Sequence, residues 1–431
     1  MKYPAISNQL FKKNREKVLR QLPSNAIAVV HSNDQMPRNG DLFFPFRQHS
    51  DLFYLTGIEQ EKTILVLLPG AKNEDEKAVL FIIEPKPEIE TWEGKKLSKT
   101  QAQEISGITQ IEFEHTFHIL FAKILQQHNV VYLNKNENPR LQTFVKSRDE
   151  RFKRIIRKRF PEKQIERLAP ILTECRLRKE PEEIGLITKA CDITTKAFVS
   201  TIPHVKPGMY EYEIEALLTK HFLEHGASGH AFEPIIASGT NSCYLHYTKN
   251  SNTIQNDSIV LMDFGAEYAN YASDATRVIP TSKTFTTRQK QVYNAVLRVL
   301  RQTTQKIHAG TTILEYQEHT KLCVQEELLQ LGLLTSHDIM HQLHGKPAYL
   351  KYFMHGVSHF IGIDTHDVGS KDVILEPGMV VSCEPGIYIA NEGIGIRLEN
   401  DILITNTGNI NLLESMPIEI EEIEDLRNSL T

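Results

Sequence analysis

The stretch "HGVSHFIGIDTHD" contains three closely spaced histidines, His355, His359 and His366. Histidines at this density indicate a metal site, acid–base chemistry or a coincidence of composition. The first two follow because imidazole binds metal ions and titrates near neutral pH. The first two have the spacing of the HExxH motif of zinc peptidases, but Gly356 stands at the glutamate position. Gly356 and Gly362 also disfavour the continuous helix that this motif requires. An HExxH site is therefore excluded, and the partners of these histidines must lie elsewhere.

Two aspartates, Asp263 and Asp274, lie in the stretch "VLMDFGAEYANYASDATRVIP". Asp263 ends an apolar run, where a carboxylate is costly to bury unless it is paired or binds a cation. The intervening "GAEYAN" has turn character, and a hairpin centred near Tyr268 and Ala269 places the two aspartates opposite each other. Opposed residues project from the same sheet face with Cβ atoms about 5 Å apart. Carboxylates that close repel unless they share a proton or a metal ion.

Two glutamates repeat this arrangement further along the chain. Glu384 and Glu399 flank the turn "ANEG" in "VVSCEPGIYIANEGIGIRLENDILI", with the centre near Asn391 and Glu392. A hairpin with this centre again places two acids opposite each other on one face. Because such a pair occurs twice, a purely structural explanation is disfavoured.

Four inward carboxylates and a histidine form an oxygen-rich ligand set for two divalent ions. Oxygen-rich ligands of this kind favour manganese, cobalt or iron, and they are unlike the thiolate ligands of a typical structural zinc site. Two ions about 3.5–4 Å apart would act on a carbonyl or phosphoryl group. His246, in "NSCYLHYTKN", is either a packed or surface histidine or part of the same site. The adjacent Cys243 lacks an orienting partner for a Cys–His nucleophile.

The patterns that must position these residues change near residue 172. Before it, "NAIAVVHS", "KTILVLLPG", "KAVLFIIE" and "NVVYLN" predict buried strands separated by helices, as in an α/β domain. After it, two helices followed by strands and a hairpin occur twice. We therefore predict an N-terminal α/β domain over residues 1–172 and a second domain over residues 173–431. The fold class is α/β in the mixed α+β sense.

Composition excludes several function classes. The 431 residues carry a formal net charge of −5, which gives no electrostatic reason to expect nucleic acid. The basic run "KSRDERFKRIIRKRFPEK" has acids interleaved and predicts a solvated surface helix. The apolar runs are shorter than the ~18 residues of a membrane helix. Five scattered cysteines without a CxxC pair favour a reducing cytoplasm.

The order of these motifs resembles the proline-specific metallopeptidases of the pita-bread fold, and among them most closely Xaa-Pro aminopeptidase, or aminopeptidase P. The matching stretches are "LHYTKN", "MDFGAEYANYASDATR", "HGVSHFIGIDTHDVG", "EPGMVVSCEPGIYI" and "GIRLENDILIT". "FRQHSDLFYLTGIEQ" is similar to the family's N-terminal domain. The resemblance implies a creatinase/prolidase-type α/β domain, serving substrate access or oligomerisation. A pita-bread catalytic domain with a pseudo-twofold repeat of helices and antiparallel hairpins follows it.

The resemblance also implies the roles of the metal ligands, which are Asp263, Asp274, His359, Glu384 and Glu399. Asp274 and Glu399 would bridge two divalent ions, with manganese expected first and cobalt, iron or zinc as alternatives. Glu384 would also position or deprotonate the attacking water. The implied mechanism is attack of a metal-bridged hydroxide on the amide carbon.

Further residues acquire roles from the same resemblance. Arg397 would be an outer-shell partner of the carboxylates. His246, His355 and His366 would bond to the scissile carbonyl or the tetrahedral intermediate. Tyr388 and Phe232 would contact substrate, although Phe232 stands where bacterial members commonly have a tyrosine. Trp92 lies in a segment resembling one that reaches a neighbouring subunit's site in tetrameric members, so either that role or packing within its own domain is open. We expect a homo-oligomer, a dimer or a tetramer.

The implied activity is release of the N-terminal residue from peptides with proline at position 2. The Xaa-Pro bond is a tertiary amide that differs from ordinary peptide bonds. A prolidase restricted to Xaa-Pro dipeptides is the alternative, although Ser358 stands where prolidases tend to carry glycine. A more remote alternative is a non-enzymatic binding module on the same fold, which would be expected to lack ligands that are all present here.

Overall fold

The structure is a computed structural model that describes residues 3–343 and 345–429. The chain divides into two compact units, one over residues 4–176 and the other over residues 177–429 together with Tyr3. The boundary predicted near residue 172 lies within a helix, Ala169–Leu177, and the division falls at the end of that helix.

The N-terminal unit is built around one mixed sheet. The elements in chain order are α1 Asn8–Gln21, β1 Ala26–His31, β2 Pro37–Asn39, β3 Leu42–Phe43, α2 Ser50–Thr56, β4 Ile64–Leu67, β5 Ala78–Ile82, α3 Pro87–Glu93, α4 Lys99–Ser106, β6 Gln110–Phe113, α5 Phe117–Gln126, β7 Val130–Leu133, α6 Arg148–Arg159, β8 Gln164–Arg167 and α7 Ala169–Leu177. The strands of the sheet lie in the order β6-β5-β4-β1-β7-β8, and β2 and β3 form a separate hairpin.

The four strands predicted in this unit are confirmed as β1, β4, β5 and β7. Every residue of β1 is buried, because it lies inside the sheet between β4 and β7. A strand covered on both faces reads as a continuous apolar run, which is why these segments show no polar alternation. Phe117, Phe121 and Phe152 pack against the sheet and close the core.

The basic run predicted as a surface helix forms α6. Ser147 and Glu150 make a capping box at its start, so the helix begins where its orphan backbone donors are satisfied. Only Asp149, Phe152 and Ile156 of this helix are buried.

In α3, Trp92 is 89% exposed, so packing within its own unit does not account for this side chain.

The C-terminal unit contains the predicted repeat. The elements are α8 Pro181–Thr201, α9 Glu211–Glu224, β9 Gly229–His230, β10 Ile235–Ser238, β11 Ile259–Phe264, β12 Ala266–Tyr268, β13 Tyr271–Ala272, β14 Ala275–Pro280, α10 Thr287–Thr304, α11 Ile313–Gln330, α12 Ser336–Met340, β15 Val380–Cys383, β16 Gly386–Ile389, β17 Ile394–Arg397, β18 Asn400–Thr405, β19 Gly408–Asn411 and α13 Ile420–Asn428. Helices α8 and α9 pack together and precede the sheet β10-β11-β14, while α10 and α11 pack together and precede the sheet β15-β18-β19.

Local sequence explains where the long helices begin and end. Pro181 occupies the first turn of α8, where its missing N–H costs nothing. Gly226, with φ 82°, lies just after α9 in the left-handed region that often terminates helices. Within the described residues, no helix is both long and apolar enough to cross a membrane.

Arg277 on β14 connects the sheet β10-β11-β14 with the start of β18 and is fully buried. Its guanidinium donates to the carbonyl oxygens of Glu399 at 2.6 Å and Pro417 at 2.9 Å, and to Asn400 Oδ1 at 2.8 Å.

We predict that Arg277→Met destabilises the protein by about 3 kcal/mol or more, because these acceptors lose their donors inside the protein. Urea unfolding measures this change.

A matched control is Arg301→Met, which also removes an arginine from the same unit. Arg301 pairs with Glu419 at the surface and its side chain is 56% exposed. The control should cost less than about 1 kcal/mol. Equal losses in the two variants would contradict the role assigned to Arg277.

Candidate metal centre

The first pair of acids lies where β11 meets β14, but not in the predicted register. Asp263 on β11 pairs with Thr276, so the prediction that it faces Asp274 is wrong. Asp274 lies two residues before Thr276 and is buried, 5% exposed. Its backbone N–H donates to Asp401 Oδ2 at 3.0 Å.

The physical reason for this shift is the turn between β12 and β13. Tyr268 pairs with Tyr271, and the turn residues Ala269 and Asn270 have φ of 51° and 66°. Two successive left-handed residues are typical of a two-residue type I′ hairpin turn. The centre of the hairpin is therefore one residue later than predicted, which moves every cross-strand partner by two positions.

The predicted register of the second pair of acids is confirmed. Cys383 pairs with Asn400 on one side of the pair, and Gly386 pairs with Arg397 on the other. Both ladders keep the same register, so Glu384 and Glu399 face each other between them. The four-residue turn "ANEG" closes the hairpin after Ile389 pairs with Ile394, as its composition indicated.

His359 lies among these acids. Its backbone is held against β15, since Ser382 N–H donates to His359 O at 2.8 Å. Its Nδ1 lies 3.1 Å from the Phe360 carbonyl oxygen, which can only accept, so this nitrogen carries the proton. Nε2 is thereby left as an electron-pair donor, 3.4 Å from Asp274 Oδ2 and 3.7 Å from Glu384 Oε1.

The donor set fits a divalent cation. Ligand atoms of Asp274, His359 and Glu399 all lie within 4.8 Å of one another. Burial, together with the charges of neighbouring carboxylates, raises the pKa of Asp274 and of Glu399 well above the ordinary range. Asp263 Oδ1 is buried and has no hydrogen-bond partner among the described residues. A cation would relieve the repulsion and satisfy this oxygen.

Arg397, on β17, connects the sheet β16-β17 with the sheet β10-β11-β14. It donates to Asp263 Oδ2 at 2.6 Å, to Thr276 Oγ1 at 3.1 Å and to the Tyr388 hydroxyl at 2.8 Å. Thr276 in turn donates to Glu399 Oε2 at 2.6 Å. One guanidinium therefore orients carboxylates from both halves of the repeat, as outer-shell partners of metal ligands do.

We predict that Arg397→Lys lowers kcat/KM by about 10–100-fold, the usual effect of losing an outer-shell partner. A single ammonium cannot reproduce three bonds made by a planar fork. Steady-state kinetics measures the loss, and circular dichroism checks that the fold is retained. Near-normal activity would contradict a role for the guanidinium geometry.

The three other predicted histidines differ in their placement. His355 is partly buried, with Nδ1 2.8 Å from the Gly356 carbonyl oxygen and Nε2 2.8 Å from the Tyr388 hydroxyl. Burial and the charge of Arg397 lower the pKa of His355 to about 3, so the ring is neutral near pH 7. Since Nδ1 must donate to the carbonyl, Nε2 accepts from Tyr388. Both nitrogens are thus used within the protein, which does not match the predicted bond from His355 to substrate.

His246 and His366 are exposed. The ring of His366 lies 4.4 Å from that of His359, centroid to centroid, and nearly perpendicular to it. His246 is near enough to His355 for its charge to lower that residue's pKa, after the larger effects of burial and Arg397. The structure therefore brings both histidines to the neighbourhood of the acids.

Phe232 is half-buried in the segment between β9 and β10. The preceding residue, Ala231, accepts a hydrogen bond from Thr365 Oγ1 at 3.4 Å, so this segment lies against the one that carries His366.

Sequence reasoning missed two residues that support the centre, Thr276 and Asp401. Asp401 is fully buried and receives both the Asp274 N–H and the Cys191 thiol, the latter at 3.3 Å. A sequence signal existed, since Asp401 lies in the stretch "GIRLENDILIT", two residues after Glu399. No role could be assigned to Asp401 from the sequence, because Asp274, whose backbone it binds, lies 127 residues away along the chain.

Comparison with known proteins agrees with this geometry. A model of metallopeptidase family M24 matches residues 185–406, which include all five predicted ligands. The chain belongs to metallopeptidase family M24. A model of the aminopeptidase P N-terminal domain matches residues 11–132, so the predicted resemblance is confirmed over both parts of this M24 protein.

Relatives of this M24 protein match it over nearly its full length. The Xaa-Pro aminopeptidase of Escherichia coli K12 is 35% identical, covering 98% of each chain. The structure of E. coli aminopeptidase P with the inhibitor Pro-Leu has a TM-score of 0.88 at 33% identity, covering 99% of both chains. A zinc-substituted form in complex with product has a TM-score of 0.89 at 32% identity, covering 99% of this chain and 100% of that one. The predicted fold class, an α/β domain followed by a pita-bread catalytic domain, is confirmed.

Proposed function

We propose that this protein is an Xaa-Pro aminopeptidase that releases the N-terminal residue from peptides with proline at position 2. The observation that carries the proposal is the convergence of Asp263, Asp274, Glu384 and Glu399 with His359 in one partly buried group. The names of the full-length relatives supply the substrate class. A non-enzymatic binding module does not require a cluster of carboxylates that repel one another, so we do not propose that function.

Five residues would hold two divalent ions, with Asp274 and Glu399 shared between them. Manganese is our first candidate, because oxygen ligands dominate the set, and cobalt, iron and zinc are the alternatives. The existence of a zinc-substituted E. coli relative supports a site that accepts more than one divalent metal. When bound, the ions polarise the scissile carbonyl and lower the pKa of the attacking water.

Glu384 is the residue that we assign to proton transfer. Burial raises the pKa of Glu384, while the positive charge of Arg397 opposes that rise. The carboxylate takes a proton from water as the oxygen adds to the amide carbon, and it returns that proton to the proline nitrogen as the C–N bond breaks. A raised pKa makes the carboxylate a stronger base than an ordinary glutamate, which suits a general base.

Substrate contacts come from side chains around the acids. His246 and His366 are exposed, and we assign to them the bonds that stabilise the developing oxyanion. His355 instead orients the Tyr388 hydroxyl, which Arg397 holds from its other side. Phe232 would form an apolar wall for the substrate.

Assembly and location are further proposals. The almost fully exposed Trp92 supports a homo-oligomer, a dimer or a tetramer, in which a partner subunit covers this side chain. The N-terminal unit would then serve assembly and substrate access. The cytoplasm stays our predicted compartment, because all five cysteines are free.

The test of the proposed function is an assay of the manganese-loaded protein on an Xaa-Pro-Xaa tripeptide and on an Xaa-Pro dipeptide. We expect mass spectrometry to detect the free N-terminal residue and the Pro-Xaa product from the tripeptide. Turnover confined to the dipeptide would make the protein a prolidase. Cleavage of neither peptide would refute a peptidase of this specificity.

A further inference from the structure

Lys179 and Asp367 form a buried ion pair in the C-terminal unit, with 3.1 Å between Nζ and Oδ2. Each side chain is only 1% exposed, so solvent does not screen the two charges from each other. Taking two charges out of water is costly, and a buried pair is therefore weak evidence for added stability. Such a pair is better suited to holding two segments of the chain in one relative position.

The backbone of Lys179 is fixed independently of its side chain. Lys179 lies two residues before α8, and its N–H donates to the Gly378 carbonyl oxygen at 2.9 Å. A Cβ atom added to Gly378 would lie 3.2 Å from the Lys179 carbonyl oxygen, so the two backbones are in close contact. The ammonium is therefore carried by an anchored residue, and its charge acts at one place.

Asp367 is enclosed by the loop of residues 360–366 that precedes it. The Asp367 N–H donates to the Phe360 carbonyl oxygen at 2.9 Å, which closes this loop. A Cβ atom added to Gly362 would lie 2.1 Å from Asp367 Oδ2 and 3.0 Å from Lys179 Cε. The loop therefore wraps closely around the ion pair, and glycine at position 362 leaves the space that the pair occupies.

The residue directly before Asp367 is His366, to which we assign a bond to the developing oxyanion. Its ring lies 4.4 Å from the ring of His359, centroid to centroid. The start of the loop is also fixed, since Ile361 N–H donates to the Val380 carbonyl oxygen on β15 at 3.0 Å. The His366 side chain is exposed, so its own burial does not hold it beside His359. Anchoring of the adjacent Asp367 can do so.

We propose that Lys179 is a positioning residue for the cleavage reaction. Its ion pair with Asp367 fixes the backbone that carries His366, and this holds the imidazole where the oxyanion develops. The proposal rests on the proposed function and deepens it, because it names a residue that acts on the assigned site without touching substrate. A displacement of about 1 Å in such a contact can lower the rate by about 10²-fold.

The test measures kcat, KM, bound manganese and thermal unfolding for Lys179→Met, which keeps the length of the side chain and removes its charge. We expect kcat for an Xaa-Pro-Xaa tripeptide to fall by about 10–100-fold. KM should change by less than about 3-fold, because the oxyanion contact strengthens only in the transition state. Bound manganese should equal that of wild type, because none of the five proposed ligands is altered.

The matched control is Arg178→Met, which removes a cation from the neighbouring residue. Arg178 pairs with Glu376 at 2.6 Å, and the two side chains are 50% and 47% exposed. This variant should retain wild-type kcat and KM. Equal losses of kcat in Arg178→Met and Lys179→Met would overturn the proposal.

A double-mutant cycle with His366→Ala distinguishes positioning of His366 from a general structural effect. Once the imidazole is absent, Lys179→Met should lower kcat by less than about 3-fold further, because the two residues act as one unit. Losses that multiply in the double variant would overturn the proposal. Wild-type kcat in Lys179→Met alone would overturn it as well.

Two further variants keep the proposal testable if Lys179→Met unfolds, because that variant leaves a buried carboxylate without its cation. Lys179→Met/Asp367→Asn removes both charges and should unfold at a higher temperature than Lys179→Met, while kcat stays low. Gly362→Ala places a methyl group against the Asp367 carboxylate and should lower kcat to a similar extent. Wild-type kcat in either variant would contradict the role of the ion pair. Failure of the proposed function is distinguishable, since wild-type protein would then cleave no Xaa-Pro peptide.

Discussion

Glu384→Gln will leave the protein folded and lower kcat by about 10²–10⁴-fold, the range expected when a general acid–base group is removed. Glutamine has nearly the same shape as glutamate but cannot take the proton from water. It also weakens one metal ligand, so bound metal must be measured alongside turnover. A loss of kcat in protein that has been reloaded with manganese isolates the proton-transfer role.

A matched control is Glu392→Gln, eight residues further along the same hairpin. Glu392 is exposed in the turn and pairs with Arg288 at 2.7 Å, away from the four acids. This variant should retain wild-type kinetics. If Glu384→Gln behaves like the control, the role assigned to Glu384 is wrong.

Asp274→Asn should lower manganese affinity by more than the about 10–100-fold typical of outer-shell partners, because it changes a residue that we propose as a bridging ligand. The metal-free variant should nevertheless be as stable as metal-free wild type or more stable. Burial and three neighbouring acids, Asp263, Asp401 and Glu384, raise the pKa of Asp274, so its charge opposes folding when no cation is bound. Isothermal titration measures the affinity, and thermal unfolding in chelator measures the stability.

The control for this experiment is Asp257→Asn. Asp257 is exposed and has φ 53°, a conformation that asparagine tolerates equally well. Removing its charge should change neither manganese affinity nor activity. A large fall in the stability of metal-free Asp274→Asn would contradict the repulsion that we infer within the site.

The parts of the fold that could be predicted from the sequence are those that short, local sequence patterns determine. Strands β1, β4, β5 and β7 were predictable because short branched runs are typical of buried strands. The register of Glu384 and Glu399 followed from the composition of "ANEG". The register of Asp263 and Asp274 did not, because Ala269 and Asn270 both adopt left-handed conformations, which an alanine does not signal.

Long-range contacts were beyond prediction from sequence patterns. The burial of Asp401 against the Asp274 backbone depends on two sheets from opposite halves of the repeat meeting. The ion pair between Lys179 and Asp367 likewise joins two distant parts of the chain, which no spacing rule gives. The use of both His355 nitrogens within the protein also became evident only from the folded geometry.

In the function that we propose, the four acids and His359 hold two metal ions on which Xaa-Pro cleavage depends. The most direct measurement is a titration of metal-free protein with manganese, in which bound metal and tripeptide cleavage are followed in the same samples. We predict that binding saturates at two ions per chain and that release of the N-terminal residue rises from baseline to its maximum over the same range. Undiminished cleavage by metal-free protein, or full manganese binding without cleavage, would contradict the claim.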